Sequence, residues 1–293
     1  MAPRLVSVII PAYNAMDLID EQLEALAAQD YDGDFEVVVS DNGSTDGLRE
    51  HLASHPLADR LHLRCVDSSD RQGSTHARNV GVAESTGELL AFCEHDDRVH
   101  PGWLTAMVRA AEDYDAVGGS VETASINTRE VASWRTMPQP DEPFGATDFL
   151  PYAIGCNFAV WRTSLEKVGG FPESFDRGGE DVAVSWQLQL AGLTLGHAPD
   201  AVVAYRFRDT YKGTWKQMSA YGRNSVQVYL TFREHGQQRG SLASLGLSLL
   251  GVVLLNPLVP RFIARVPRGY WVAQTAFLTG KLRASWKNRV LYV

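Results

Sequence analysis

Leu89–Phe92 is a run of four uncharged residues, and within five residues of its end stand Glu94, Asp96 and Asp97. A short apolar run that follows a glycine, Gly87, and stops at a polar turn suits a strand buried on both faces. In open α/β sheets, ligands bind beyond the carboxyl ends of such strands. Carboxylates crowded there repel one another and lose hydration unless a cation joins them. A hard divalent ion, Mn²⁺ or Mg²⁺, together with the oxygens of a diphosphate would resolve that conflict. A solvated acidic turn is the plain alternative, and the rest of the chain has to decide between the two.

Leu5–Ile10 is a second apolar run, ended by Pro11-Ala12-Tyr13-Asn14. Ala15–Gln29 then carries Leu18, Ile19, Leu23 and Leu26 at helical spacing. Phe35–Val39 reads as another buried strand, closed by Asp41-Asn42-Gly43-Ser44-Thr45-Asp46, where Ser44 or Thr45 is placed to cap a helix. Leu61–Val66 is a further strand, and Gly73–Ser85 a helix. Phe158–Trp161 and Ala201–Tyr205 read as later strands, and Val182–Leu190 as an amphipathic helix. Strands alternating with helices predict an α/β fold with a doubly wound, mostly parallel sheet. Pro11–Asn14 and Asp41 each follow one of the first two strands, so they meet at the sheet's switch point, where a base and ribose would sit. Tyr13 can stack on the base and Asp41 can accept from a base N–H. Plain turn chemistry is the simpler account of Tyr13, Asn14 and Asp41.

Of the 293 residues, 45% are hydrophobic and 21% charged, an ordinary globular composition for one large domain or two. The three cysteines, Cys65, Cys93 and Cys156, show no zinc or CxxC spacing, which predicts reduced thiols in a cytoplasmic protein. Leu5–Ile10 is too short for a signal peptide. Charge is unevenly distributed. From Arg233 onward there are nine Lys/Arg and one acidic residue, a net +8 that leaves −16 on residues 1–232 of the total −8. An acidic body with a basic tail predicts a polyanion near the tail. Anionic lipid fits better than nucleic acid, because the tail is also apolar and aromatic.

Six motifs in this order resemble family 2 glycosyltransferases: Pro11–Asn14, Asp41–Asp46, Ala77-Arg78-Asn79-Val80-Gly81, Phe92–Asp97, Val168-Gly169-Gly170-Phe171 and Gly178-Gly179-Glu180-Asp181. Each is weak alone; together they cover roughly residues 5–195. The resemblance implies a GT-A fold, a nucleotide-sugar donor, a divalent metal and inversion at the anomeric carbon. It places Pro11, Ala12, Tyr13, Asn14 and Asp41 at the nucleotide and Asn157 near the donor sugar. Asp96 matches the position whose carboxylate meets the metal, and Asp181 the general base. Glu180 then holds the acceptor or positions Asp181; a helix-capping pair is the plainer reading of both. Arg78 has two readings, a phosphate partner or an internal ion pair with the acids. The chain departs from the family's Asp-x-Asp-Asp pattern by Glu94, one methylene longer, which puts its contact to ribose or metal in doubt. His95, in the x position, is read as a metal contact or an ion-pair partner. Tyr205 stands where many relatives have a histidine, which leaves Arg206 or Arg208 as the countercharge.

The expected organisation is a catalytic domain over residues 1–232, with a nucleotide half at 1–97 and an acceptor half at 98–232, then a basic helical tail at 233–293. Gly240–Pro260 holds 21 consecutive uncharged residues, read as an interfacial hairpin or helix in preference to a membrane span. Tyr270–Leu291 mixes Trp271, Phe277 and Trp286 with Lys281, Arg283, Lys287 and Arg289, an interfacial pattern. A helical pair packed on the core or on a second subunit, giving an oligomer, is the competing account. The resulting expectation is a cytoplasmic enzyme, peripheral on the inner face of the cell membrane. It moves a sugar from a UDP-sugar to a saccharide or lipid-linked acceptor of the cell envelope. A sugar nucleotidyltransferase would need a Gly-rich basic loop after the first strand, which Pro11–Met16 lacks. A non-catalytic nucleotide-sugar binder, suggested by Glu94 and Tyr205, stays open.

Overall fold

The computed structural model describes residues 2–145, 149–175, 178–257, 259 and 266–292. In chain order the elements are β1 (Val6–Ala12), α1 (Ile19–Ala27), β2 (Phe35–Asp41), α2 (Leu48–Ala53), α3 (Ala58–Leu61), β3 (Arg64–Asp67) and α4 (Ser74–Glu84). β4 (Leu89–Phe92), β5 (Arg98–Val99), α5 (Trp103–Ala111), β6 (Ala116–Glu122), α6 (Arg129–Ala132), β7 (Phe158–Trp161) and α7 (Arg162–Lys167) follow. The chain continues through α8 (Glu180–Leu190), β8 (Leu195–Ala204), α9 (Tyr211–Phe232), α10 (Leu242–Leu254) and α11 (Arg268–Lys287).

Eight strands form one sheet in the order β3-β2-β1-β4-β7-β6-β8-β5. β1 is paired in parallel with both β2 and β4, and β2 with β3. Every residue of β1 and β4 is buried, as expected of strands covered on both faces. Beyond β4 the sheet changes character: β7 runs antiparallel to both β4 and β6, whereas β6 and β8 are parallel. The core against β4 is aromatic. The Phe92 ring lies 5.9 Å from Phe158 and 5.0 Å from Phe171, and Val184 and Leu188 of α8 join the same cluster. Removing a ring of this kind costs about 3–5 kcal/mol. α8 begins with Glu180 and Asp181, where the helix dipole favours negative charge. α2 starts differently from the expected Ser44 or Thr45 cap. Its N-cap is Gly47, and Ser44 Oγ instead accepts from the Asn14 N–H at 2.8 Å.

Thr123–Met137, residues 177–179 and Arg206–Val293 form a second compact unit. Its centre is the pairing of α9 with α11. A Cβ on Gly222 would stand 2.0 Å from the Phe277 carbonyl oxygen, and one on Gly280 2.1 Å from that of Ser219, so the two helices touch backbone to backbone. Gly269, Ala273, Ala276, Gly280 and Ala284 make the buried row of α11 that allows this approach. α10 differs: it buries no residue, and Leu242, Leu247 and Val253 are at least 65% exposed. Among the described residues no helix is long and apolar enough to cross a membrane. Leu258, Pro260, Arg261 and Arg265 of the tail lie outside the described residues.

Candidate active site

β1, β2 and β4 end side by side, and the polar turns after them make a continuous shelf. At its outer end the two first turns lock together. Asn14 adopts a left-handed φ of 51°; its N–H donates to Ser44 Oγ at 2.8 Å, and its Oδ1 accepts from the Thr45 N–H at 2.9 Å. The Met16 N–H donates to Asp46 Oδ2 at 2.9 Å. Ala12 is buried and its carbonyl accepts from the Asn42 N–H at 2.8 Å. Asp41 is wholly buried. Its Oδ1 accepts from the Ser44 N–H at 2.9 Å and its Oδ2 pairs with the Arg49 guanidinium, which also holds Asp67. Burial pushes the Asp41 carboxyl up, but these bonds more than offset it and hold it below the usual range. Tyr13 is the exposed member, 52% accessible.

The acidic turn after β4 is organised by one cation. Arg78, 3% exposed on α4, pairs with Glu94 and, at 2.7 Å, with Glu180. Burial works against its charge, yet Glu94, Glu180 and Asp181 raise its pKa overall. Glu94 thus reaches back to the helix: the extra methylene supplies an arm to Arg78. Glu180 is in the less favourable position. Desolvation pushes its carboxyl well above the carboxylate range, Arg78 opposes this, and Asp181 adds repulsion. Its Oε2 is buried without a hydrogen-bond partner among the described residues. One guanidinium therefore faces three carboxylates, bonded to two of them, Glu94 and Glu180. Gly155 makes room for it, since a Cβ there would sit 2.8 Å from Arg78 Nη2. The Gly155 N–H donates to Asp181 Oδ2 at 3.1 Å, and Asp181 remains half-buried at the start of α8.

Asp96 and Asp97 are both nearly buried. His95 is half-buried, and its Nδ1 donates to the Pro11 carbonyl at 3.1 Å, which leaves Nε2 as the acceptor nitrogen. A carboxylate and an imidazole suit Mn²⁺ or Mg²⁺ only in part. Such ions usually take one or two carboxylates and complete their shell with substrate phosphates. Glu94 is engaged by Arg78, and Asp96 stands in the position that the family resemblance gives to the metal.

Other motif residues have internal tasks. The Asn79 side chain accepts from the Phe171 N–H at 3.0 Å and donates to the Phe171 carbonyl at 2.9 Å, joining two motifs 92 residues apart. Asn157 is fully buried. Its Oδ1 accepts from Trp103 Nε1 at 2.8 Å and its Nδ2 donates to the carbonyls of Ser120 and Ala201. All its polar atoms are engaged, so it braces β6, β7 and β8 and presents no free group to a ligand. The Tyr205 N–H continues the ladder to the Glu122 carbonyl, and Arg206 donates to the Ile126 carbonyl at 3.4 Å. Sequence reasoning missed Arg49 and Asp67. The signal was a basic residue on the first turn of the helix after Asp41, and an acid ending the next strand.

The Glycosyl transferase family 2 model matches residues 7–169, more than half of the chain, and the model of Glycosyl transferase family group 2 matches residues 94–280. The chain belongs to glycosyltransferase family 2. Within that family it is 33% identical to glycosyltransferase AglE of Haloferax volcanii, over 78% of this chain and 75% of AglE. It is 28% identical to the GalNAc(5)-diNAcBac-PP-undecaprenol beta-1,3-glucosyltransferase of Campylobacter jejuni, over 59% of this chain and 56% of that one. Among solved structures, the mannosyltransferase PcManGT from Pyrobaculum calidifontis, in complex with GDP-Man and Mn²⁺, aligns with a TM-score of 0.62 at 23% identity, covering 98% of this chain and 88% of that one. TarS of S. aureus in complex with UDP-GlcNAc aligns at 0.55 and 16% identity, covering 98% and 93%. These likenesses establish the GT-A-like fold of this family 2 member, and the expectation of the fold class holds.

Proposed function

We propose that this glycosyltransferase moves a sugar from a nucleoside-diphosphate donor, UDP-linked, to a hydroxyl of a saccharide or lipid-linked acceptor, with inversion. The acceptor oxygen attacks the anomeric carbon as the bond to the diphosphate breaks, and Asp181 takes the hydroxyl proton. Tyr13 stacks on the base over the shelf built by Pro11, Ala12, Asn14 and Asp41. Asp96, with His95 next to it in the chain, would hold a divalent ion, which would supply charge stabilisation for the departing diphosphate. Asn157 supports the donor-sugar face through the strands that it ties.

One observation carries the reading. Arg78 is bonded at once to Glu94, in the acidic turn, and to Glu180, next to Asp181. A donor-side group and the base-bearing helix start thereby share a single rigid link, which is the positioning that an in-line transfer needs. The test is release of free nucleoside diphosphate from a panel of UDP- and GDP-sugars, with Mn²⁺ and with excess chelator. Metal-dependent release from one donor class supports the proposal. Tight donor binding with no release in any acceptor mixture would support the non-catalytic binder.

The acceptor proposal rests on the tail and on the C. jejuni relative, whose name gives an undecaprenol-linked substrate. α10 has no charged residue and exposes leucines, and Lys281, Arg283, Lys287 and Arg289 follow on and after α11. Basic residues at an anionic membrane contribute about 1 kcal/mol each, screened by salt. We take the tail to dock on the membrane surface. Binding of the full chain to anionic vesicles at low salt, weakened by reversing those four charges, checks it; indifference to vesicles contradicts it.

A further inference from the structure

α1, α2 and the turn just after α2 carry a cluster that the transfer chemistry does not use. Asp20 Oδ1 lies 2.6 Å from His51 Nε2 and 3.3 Å from His55 Nε2, and one ligand atom from each residue falls within 4.8 Å of the others. The His51-x-x-x-His55 spacing brings two rings one helical turn apart, edge to face at 5.2 Å. Their exposure is graded: the His55 side chain is 4% accessible, His51 23% and Asp20 50%. The cluster is therefore walled on one side and open to water on the other. Among the described residues it is the group of three or more side chains placed to hold a metal ion, and the acidic turn forms no such group.

We propose that Asp20, His51 and His55 form a second divalent-cation site, of zinc-type chemistry, whose role is structural. Two imidazoles and one carboxylate, with water in the remaining position, are a zinc donor set, and differ from the oxygen set that magnesium prefers. Bonds of about 2.0–2.1 Å in a tetrahedral arrangement put ligand atoms roughly 3.3–3.4 Å apart. The Asp20–His55 pair already has that spacing, and the Asp20–His51 pair has to open by less than ~1 Å. One element resists the ion. The Leu57 N–H donates to His55 Nδ1 at 3.2 Å, which places the ring proton on Nε2 facing Asp20. Ligation at Nε2 shifts that proton to Nδ1 and displaces this long bond. The site is thus weaker than one whose tautomers are preset by carbonyl acceptors.

The consequence reaches the nucleotide shelf. His51 lies two residues after Arg49 on α2, and Arg49 holds Asp41 and Asp67. Asp20 lies on α1, which follows the turn tied to Asp46 through Met16. An ion here bolts together the two helices that carry the shelf's outer turns. The experiment is titration of chelator-treated, full-length Asp96→Asn protein with Co²⁺ as the probe, read by its visible ligand-field bands and by thermal unfolding. Expected are one equivalent bound with intense low-symmetry bands, a raised melting temperature, and bleaching by one equivalent of Zn²⁺ but not by Mg²⁺. His51→Gln and Asp20→Asn, on the open side where folding is least at risk, should each weaken binding beyond the ~10–100-fold that loss of an outer partner costs. Absence of stoichiometric bands, or bands unchanged in both variants, overturns the proposal and leaves a hydrogen-bonded His–Asp–His clasp.

Discussion

The nucleotide shelf and the acidic centre lie on neighbouring strand ends but solve opposite problems. On the shelf every charged group is matched: Asp41 has Arg49 and Ser44, and Asn14 is bonded to both Ser44 and Thr45. Such a surface is satisfied within itself, and Tyr13 is its exposed member. At the acidic centre one Arg78 faces Glu94, Glu180 and Asp181, and Glu180 keeps a buried oxygen without a partner among the described residues. The first region is satisfied within itself. The second retains negative charge that one guanidinium does not fully match, which suits the proposed task of receiving a phosphate-bound cation and a proton.

Changes that break this contrast should follow its order. Arg78→Met removes the cation that, among the described residues, pairs with Glu94 and Glu180, and leaves buried carboxylates uncompensated, which should cost about 3–5 kcal/mol in denaturant unfolding. A variant as stable as the parent would show that the carboxylates are already neutral. Gly222→Ala in the second unit drives a methyl into the Phe277 carbonyl and should cost about 1–3 kcal/mol. It should leave donor affinity untouched if the tail works separately from the shelf. Asn14→Ala frees the outer turn and should cost about 1 kcal/mol, seen mainly as weaker donor binding.

Glu180→Gln gives the smallest change in stability at neutral pH, within about 1 kcal/mol, since Arg78 keeps Glu94. Its pH dependence is the sharper readout. A carboxyl whose folded pKa lies above its unfolded value binds its proton more tightly when folded, so its contribution falls as pH rises from about 4.3 through the folded pKa. The variant lacks that loss, so its melting temperature should gain on the parent's over this window. A constant difference would mean that Glu180 is not strained by its surroundings.

Much of this was legible in the chain, for identifiable reasons. β1, β2 and β4 are dense apolar runs, and burial on both faces leaves such strands no other composition. β6, Ala-Val-Gly-Gly-Ser-Val-Glu, gives no such signal, and two-residue β5 cannot. The 22-residue α9 escaped notice because its partner is a small-residue row on α11, which has no hydrophobic contrast to read. In the site, residue types and order were readable but contacts were not. Nothing in the sequence says that Asp41 would be fully buried against Arg49, or that the three side-chain bonds of Asn157 would close inside the sheet. The extra methylene of Glu94 read as a departure from pattern; its reason became visible only with Arg78 beside it.

The central claim is that donor binding and proton abstraction belong to different residues on one frame. The most direct measurement compares Asp181→Asn with the parent, taking donor affinity by calorimetry and sugar transfer by product formation on the same preparation. The account predicts an unchanged dissociation constant for the donor and transfer slowed by about 10²–10⁴-fold. Normal transfer in this variant, or donor affinity lost in step with transfer, would contradict it.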